Sequence, residues 1–331
     1  MLNIVGNNVN IIGLKLPPDP TASVFTMAAG TFTSEFNHCL NINSGGTSII
    51  SGLTASTVSF NNAGGDGVYM RTADSCLIDD CICASNRRNG ASVTGRVSNS
   101  GFTNCQFTMA TGTPPQAGID IEPNTPADYV TNFQIAGCDS SHNLGDGVRI
   151  SLQNLTSASQ PVSIYVSSHT ALNNGSAANQ GFANYLALNN DPSNAAGFVL
   201  FQDCISNSSA YWGAVARNWA ANGANLIFNN LTVTNPQMLG PDPVFHNSAA
   251  VAVIRGGSAS TIQAGNVRFL NCNINVNNGK VTNYFDFFDQ SPGHTGPINV
   301  QFVPGTLTGA TNATVALPGT WNGGPLRAAI N

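Results

Sequence analysis

Asp120 and Glu122 stand two apart in Gly118-Ile119-Asp120-Ile121-Glu122-Pro123-Asn124, in a chain that is only 8% charged and whose glutamates are Glu35 and Glu122 alone. In an extended segment both carboxylates leave the same face, roughly 6.5 to 7 Å apart at the backbone. Glycoside hydrolysis uses such a pair: one protonated acid at the leaving oxygen, and one carboxylate that attacks the sugar or activates water. Mutual repulsion raises one pKa while a nearby Arg lowers the other. Carboxyl separations of about 6.5 to 9.5 Å suit inversion and about 5 to 5.5 Å retention, so the strand spacing leans towards inversion. Glu122, with its longer arm, is taken as the general acid and Asp120, beside Arg149, as the base. The plainer reading is that Asp120 and Arg149 form a cross-strand ion pair, which at a surface contributes about 0 to 1 kcal/mol.

Such a pair needs a scaffold, and the chain repeats. Ile78-Asp79-Asp80-Cys81, Phe102-Thr103-Asn104-Cys105, Ile135-Ala136-Gly137-Cys138, Phe201-Gln202-Asp203-Cys204 and Phe269-Leu270-Asn271-Cys272 all read apolar-x-x-Cys. Gaps of 24, 33, 66 and 68 residues leave room for hidden members at Val166-Ser167-Ser168-His169 and Phe228-Asn229-Asn230-Leu231. About ten residues after each position a second strand recurs, usually behind glycine: Gly67-Val68-Tyr69-Met70, Gly90-Ala91-Ser92-Val93, Gly118-Ile119-Asp120-Ile121, Gly147-Val148-Arg149-Ile150 and Gly213-Ala214-Val215-Ala216. Short strands without a helical period, repeating every 20 to 40 residues, predict a solenoid that stacks its strands into long parallel sheets.

This pattern resembles the right-handed parallel β-helix family, which includes pectate-lyase-like proteins and phage tailspike polysaccharide depolymerases. The expected fold is all-β, a right-handed parallel β-helix of about ten coils in a single domain spanning residues 1–331, with coils over about 5–305 and a tail or cap over 306–331. The resemblance implies a polysaccharide substrate and a homotrimer, outside the cell or on a virion. A head-binding region before residue 1 and a long segment after the last coil are missing from the pattern, so a fragment or a monomeric enzyme stays open. The Gly-x-Asp-x-Glu-Pro-Asn stretch also looks like segments of carbohydrate-active β-helix proteins.

If the glycine-led strands are in register, their outward side chains form rows across coils. The first row is Tyr69, Ser92, Asp120, Arg149; the second is Arg71, Thr94, Glu122, Ser151; the third is Ala73, Arg96, Asn124, Gln153. Row neighbours lie about 4.8 Å apart. Arg71, Arg87, Arg88, Arg96, Arg149 and Arg217 gather in these coils, a cationic rim suited to the acid groups of an anionic polysaccharide or simply to solubility. Arg87 and Arg88 follow a turn and read as surface. Tyr69, Tyr211 and Trp212 are candidates for stacking on sugar rings; Trp219 reads as core filling. The expected substrate-binding set is therefore Arg149, Arg71, Arg96, Tyr69, Asn124, Trp212 and Arg217.

Gly65-Asp66-Gly67 and Gly145-Asp146-Gly147 recur at one coil position and read as turns, though Asp146 is placed to join Asp120 as a further carboxylate. His142 is either a base for a lyase or a solvated loop histidine. His169, standing where the repeat has Cys, reads as internal. Tyr284-Phe285-Asp286-Phe287-Phe288-Asp289 reads as a bulky late coil and a candidate subunit contact. The repeating cysteines read as small apolar residues stacked inside the tube, with a few disulfides within reach. Such thiols fit folding in a reducing cytosol. Cys76, Cys81 and Cys83 have no second pair at finger spacing, so neither a metal nor another cofactor is expected.

The net charge of −5 and pI near 5.3 offer no basic stripe for nucleic acid. Lysine occurs only as Lys15 and Lys280. No apolar run is long enough to span a membrane, so no insertion is expected, and Met1-Leu2-Asn3-Ile4 lacks the basic and apolar regions of a signal peptide. That start reads as a fragment boundary. The leading function is a polysaccharide-degrading glycoside hydrolase. Its rivals are a polysaccharide lyase or uronate epimerase on the same fold, and a non-catalytic glycan-binding solenoid.

Overall fold

A computed structural model describes residues 2–4, 10–12, 35–46, 48–176, 182–188, 195–241, 249–255, 264–289 and 298–310. Among the described residues there is no helix. The strands form a 12-stranded and a 16-stranded sheet in which all strand pairs are parallel. The rungs follow the order predicted from the repeat. Ile78, Phe102, Ile135, Val166, Phe201, Phe228 and Phe269 pair successively, so both hidden members take their places in one interior row. Stacking at this spacing brings Phe201 and Phe228 face to face at 4.6 Å, and Phe228 and Phe269 at 4.7 Å.

The apolar-x-x-Cys motif now has a backbone cause. Asp80, Asn104, Gly137, Ser168, Asp203, Asn230 and Asn271 all adopt positive φ, between 48° and 64°, and turn the chain from one wall to the next. Asp, Asn and Gly tolerate the left-handed region better than most residues, and six of the seven positions carry one of them, Ser168 being the exception. The Cys that follows points inward. All eight cysteines are buried and free, so the disulfides held within reach do not form. Instead the thiols run as a row, with the Cys81 amide donating to Cys105 Sγ at 3.4 Å and the Cys105 amide to Cys138 Sγ at 3.3 Å. His169 takes the same interior position, as expected. It is bonded to Ser140 Oγ at 3.0 Å and Tyr185 Oη at 3.1 Å, and burial pushes its pKa down to about 3.

The glycine-led strands are also a packing requirement. A Cβ at Gly118 would stand 2.6 Å from the Gly147 carbonyl oxygen, and one at Gly147 equally close to that of Asn184. These strands, with others between them, run Leu40–Ile42, Val68–Asp74, Ala91–Ser98, Ile119–Ile121, Val148–Ser151, Ala183–Leu188, Trp212–Arg217, Ala249–Arg255 and Asn283–Asp289 along the 12-stranded sheet. The late bulky segment forms the last of them. Tyr284, Phe285 and Phe287 pack in the core rather than presenting a surface, while the side chains of Phe288 and Asp289 lie outside the described residues. The tail from 311 onward likewise lies outside them.

Candidate active site

The first predicted row is found: Tyr69 pairs with Ser92, Ser92 with Asp120, and Asp120 with Arg149. It extends back to Asn41 and forward to Leu186, Val215 and Ala252. The third row does not survive. Met70 pairs with Val93 but Thr72 pairs with Arg96, so one extra residue at Thr94-Gly95 bulges opposite Arg71. Beyond the bulge Ala73 pairs with Val97 and is fully buried in the core, not outward beside Arg96.

Asp120 is on the outer side of the sheet, since its neighbours Ile119 and Ile121 fill the core, yet its exposure is 0%. Asp120 therefore leaves the outer face, as its row predicts, without reaching water. Two guanidinium groups roof it. Arg88 Nη2 lies 4.0 Å from Asp120 Oδ2 and Arg149 Nε lies 3.7 Å from Oδ1. Neither carboxylate oxygen accepts a hydrogen bond from any described residue. Glu122 is only half-buried and accepts from Gln153 Nε2 at 3.2 Å.

The ion pairs continue on both sides. Arg88 Nη1 lies 3.4 Å from Asp66 Oδ2, and Arg149 Nη1 lies 3.9 Å from Asp146 Oδ2. The result is an alternating series, Asp66, Arg88, Asp120, Arg149, Asp146, with the three carboxylates fully buried. Asp66 Oδ1 accepts the Asn89 amide at 3.0 Å and Asp146 Oδ1 the Ala183 amide at 2.8 Å. In both Gly-Asp-Gly segments the carboxylate thus bonds an amide of the next coil, 23 and 37 residues on, rather than one within a local turn. Their second oxygens belong to the charged row, which the turn reading missed. Arg88, read from sequence as surface, is central to the site. The signal that could have found it was the recurrence of Gly-Asp-Gly two coils before and one coil after Asp120.

Burial sets the protonation of these groups. It lifts the Asp120 pKa to about 7, with Glu122 and Asp66 adding to the rise while Arg149 and Arg88 oppose it. Asp146 is also lifted to about 7 by burial, against Arg149, the Ala183 amide and Arg217. Arg88 loses basicity to burial but regains more from Asp66, Asp120, Glu35 and Glu122, so its pKa is raised. Both glutamates of the chain therefore act on this one guanidinium.

The other predicted residues divide. Tyr69 is half-buried, stacked on His38 at 4.4 Å, and its hydroxyl accepts from Thr94 Oγ1 at 2.8 Å. Arg217 acts on the site through its charge, which opposes the rise of the Asp146 pKa. Arg71 is exposed at the bulge, and Arg96 donates to the Gly46 carbonyl at 2.9 Å. Asn124 caps a turn, its amide donating to Asp128 Oδ2 at 3.0 Å. Trp212 and Tyr211 are buried in an apolar cluster and cannot stack on a sugar. Trp219 is core, donating Nε1–H to the Ala224 carbonyl at 2.7 Å. His142 sits at an exposed corner with φ of 60°, on a different wall from Asp120, so it is no base for this site. A cavity of about 350 Å³ lies at another corner, lined by Ser75, Leu77, Asn99, Asn132 and Gln134 among others, and includes none of the row.

No family profile matches the chain, and no characterised protein matches it in sequence. Two solved structures resemble it. The Agl-KA catalytic domain is 16% identical over 73% of this chain and 47% of its own, with a TM-score of 0.45. The catalytic domain of a GH87 alpha-1,3-glucanase in complex with tetrasaccharides is 11% identical over 79% of this chain and 50% of its own, with a TM-score of 0.47. The chain spans about half the length of each.

Proposed function

We propose that this chain is a polysaccharide-degrading glycoside hydrolase with Asp120 and Glu122 as its working acids. The observation that carries this reading is Asp120 itself. Among the described residues, both oxygens of a fully buried carboxylate lack a hydrogen bond, on the outer side of a sheet whose structural needs an apolar residue would meet. Leaving a buried charged group unbonded is expensive, and such perturbed groups concentrate where chemistry is done. Asp146 Oδ2 and Ser151 Oγ, on or next to the following strand, are likewise buried without a hydrogen bond from the described residues, as is Asn41 Oδ1 three rungs back in the row.

The electrostatics reverse the roles drawn from arm length. A carboxyl with a pKa near 7 holds its proton often enough at neutral pH to donate it, so Asp120 serves as general acid. Glu122, half-exposed and oriented by Gln153, serves as the carboxylate that activates water or attacks the sugar. A tailspike-like depolymerase acting outside the cell on a surface polysaccharide, as a homotrimer, is the fuller form of the proposal. The arginines support a narrower second reading. A lyase or uronate epimerase needs a cation at the substrate acid group, and Arg88 and Arg149 are each about one-fifth exposed beside Asp120.

The test is a panel of capsular and plant polysaccharides, assayed for new reducing ends with the parent, Asp120→Asn and Glu122→Gln. Hydrolysis predicts new ends with the parent and their loss with both variants. Unsaturated products absorbing in the ultraviolet would replace hydrolysis by elimination. Cleavage unchanged in both variants would remove the site from the chemistry, and binding without any cleavage would leave a glycan-binding solenoid.

A further inference from the structure

Asp120 has no exposed surface, so a substrate can meet it only after part of its roof moves. The two arginines that form the roof are equally exposed, at 20% and 21%, but they are held very differently. Arg88 Nη1 donates to Ser92 Oγ and to Asp66 Oδ2, each at 3.4 Å. Its anchors are themselves fixed. Asp66 accepts the Asn89 amide, and its own amide donates to His38 Nδ1 at 3.1 Å under the stacked Tyr69 ring, while Ser92 also accepts from Asn89 Nδ2 at 3.0 Å. Arg149 makes no hydrogen bond to any described residue. Its Nε is buried without a partner, and it is retained by charge alone, at 3.7 Å from Asp120 and 3.9 Å from Asp146.

We propose that the roof is asymmetric: Arg88 is a positioning residue that stays in place and fixes Asp120, and Arg149 is the movable cover that swings outward to admit the glycan. The energetics follow from the bonding. Rotating Arg149 breaks no hydrogen bond and releases it from two carboxyl groups that burial keeps partly protonated near neutral pH, so the attraction holding it down is weakened. Moving Arg88 would break two charge-assisted bonds and strand the buried Asp66. A glycan hydroxyl arriving in the space gives Asp120 its first hydrogen-bond partner. This inference rests on Asp120 being the working acid, but the cover is measurable without turnover.

The experiment labels carboxyl groups with a water-soluble carbodiimide and glycine ethyl ester at one fixed pH, and follows Asp120 by peptide mass spectrometry. Arg149→Gln and Arg88→Gln each remove one positive charge beside Asp120, so charge effects on its reactivity are matched. The expected result is labelling of Asp120 that rises severalfold in Arg149→Gln and much less in Arg88→Gln, with circular dichroism like the parent in each. Arg149→Lys, which keeps the charge on a smaller head, is expected to fall between the parent and Arg149→Gln. If Arg88→Gln opens Asp120 as much as Arg149→Gln does, or neither opens it, the asymmetric roof is wrong. If Arg149→Gln opens Asp120 but the Asp120→Asn protein still cleaves polysaccharide like the parent, the cover stands and the hydrolytic reading falls.

Discussion

One row of the 12-stranded sheet runs through two different worlds. From Asn41 to Arg149 its outer positions are Asn, Tyr, Ser, Asp and Arg; the next three rungs carry Leu186, Val215 and Ala252, before Asp286 on the last strand. In the second half Leu186, Trp212, Val215, Ala252 and Ile254 form a separate apolar cluster outside the main core, every member buried. The backbone is the same on both sides of the change, with the same parallel ladder and the same spacing. Apolar side chains therefore satisfy this face of the sheet wherever nothing else is asked of it. The charged half is not a requirement of the fold, and burying hydrophobic groups of similar volume there would be neutral or stabilising. Three buried carboxylates and two arginines stand in place of that easy solution, in the half to which the proposed function assigns the chemistry.

The sharpest way to break the contrast is through activity. Asp120→Asn removes the proposed acid and is expected to lower turnover by about 10²- to 10⁴-fold. Measured near pH 4, where the folded carboxyl is protonated, its unfolding free energy should shift by no more than about 1 kcal/mol, because Arg88 keeps Asp66 and Arg149 keeps Asp146. A reducing-end assay beside urea denaturation measures both numbers. A large loss of stability with the loss of activity would make Asp120 a structural residue. The mirror experiment places a carboxylate in the apolar half. Val215→Asp puts a carboxylate among the buried apolar side chains of that cluster, and is expected to destabilise by roughly 3 kcal/mol or more. Should Val215→Asp be as mild as Asp120→Asn, the two halves would not differ in what they tolerate.

Titration sharpens the comparison further. Asp120 and Asp146 carry pKa values of about 7 when folded, above the unfolded value near 3.9, so the folded state binds more protons between those limits. Stability from these groups is present in full below about pH 4 and is lost as pH rises through 7. Asp139, also raised by burial, adds in the same sense, whereas Asp74, lowered by bonds from Ser98 and Asn99, opposes it. Melting temperature against pH should therefore fall less steeply in Asp120→Asn and Asp146→Asn than in the parent. An unchanged slope in both variants would mean that these carboxyls are already ionised well below neutrality.

The scaffold was far more legible in the sequence than the site. The apolar-x-x-Cys spacing located the interior row residue by residue, because a rung repeated in sequence must be repeated in space. The same logic placed Tyr69, Ser92, Asp120 and Arg149 in one outer row. It failed at Ala73, since a bulge inserts a residue without leaving a periodic trace, and at Trp212, since a ring facing outward can still be covered by something distant in sequence. Arg88 was missed for a related reason. It lies outside the strand rows, in a connection before Ala91, and reaches Asp120 only through the length of its side chain. Spacing reports the direction in which a residue leaves the backbone. It does not report how far a guanidinium then travels, nor that two of them close over an acid.

The smallest expected effect concerns the partly exposed member of the pair. Gln153 donates to Glu122 Oε1 at 3.2 Å across 31 residues of sequence, from the coil that also carries Arg149. A neutral hydrogen-bond donor of this sort is worth about 0.5 to 1.5 kcal/mol, more when the acceptor is charged. It acts on a side chain with rotamers to choose from, not on a buried group. Gln153→Ala should thus leave stability nearly unchanged and reduce kcat by a few-fold to about tenfold. The loss should appear in kcat more than in KM, because Gln153 orients the carboxylate rather than holding the glycan. A rise in KM at constant kcat would instead make Gln153 a contact for the substrate, and the open side of the charged half would then begin at that residue.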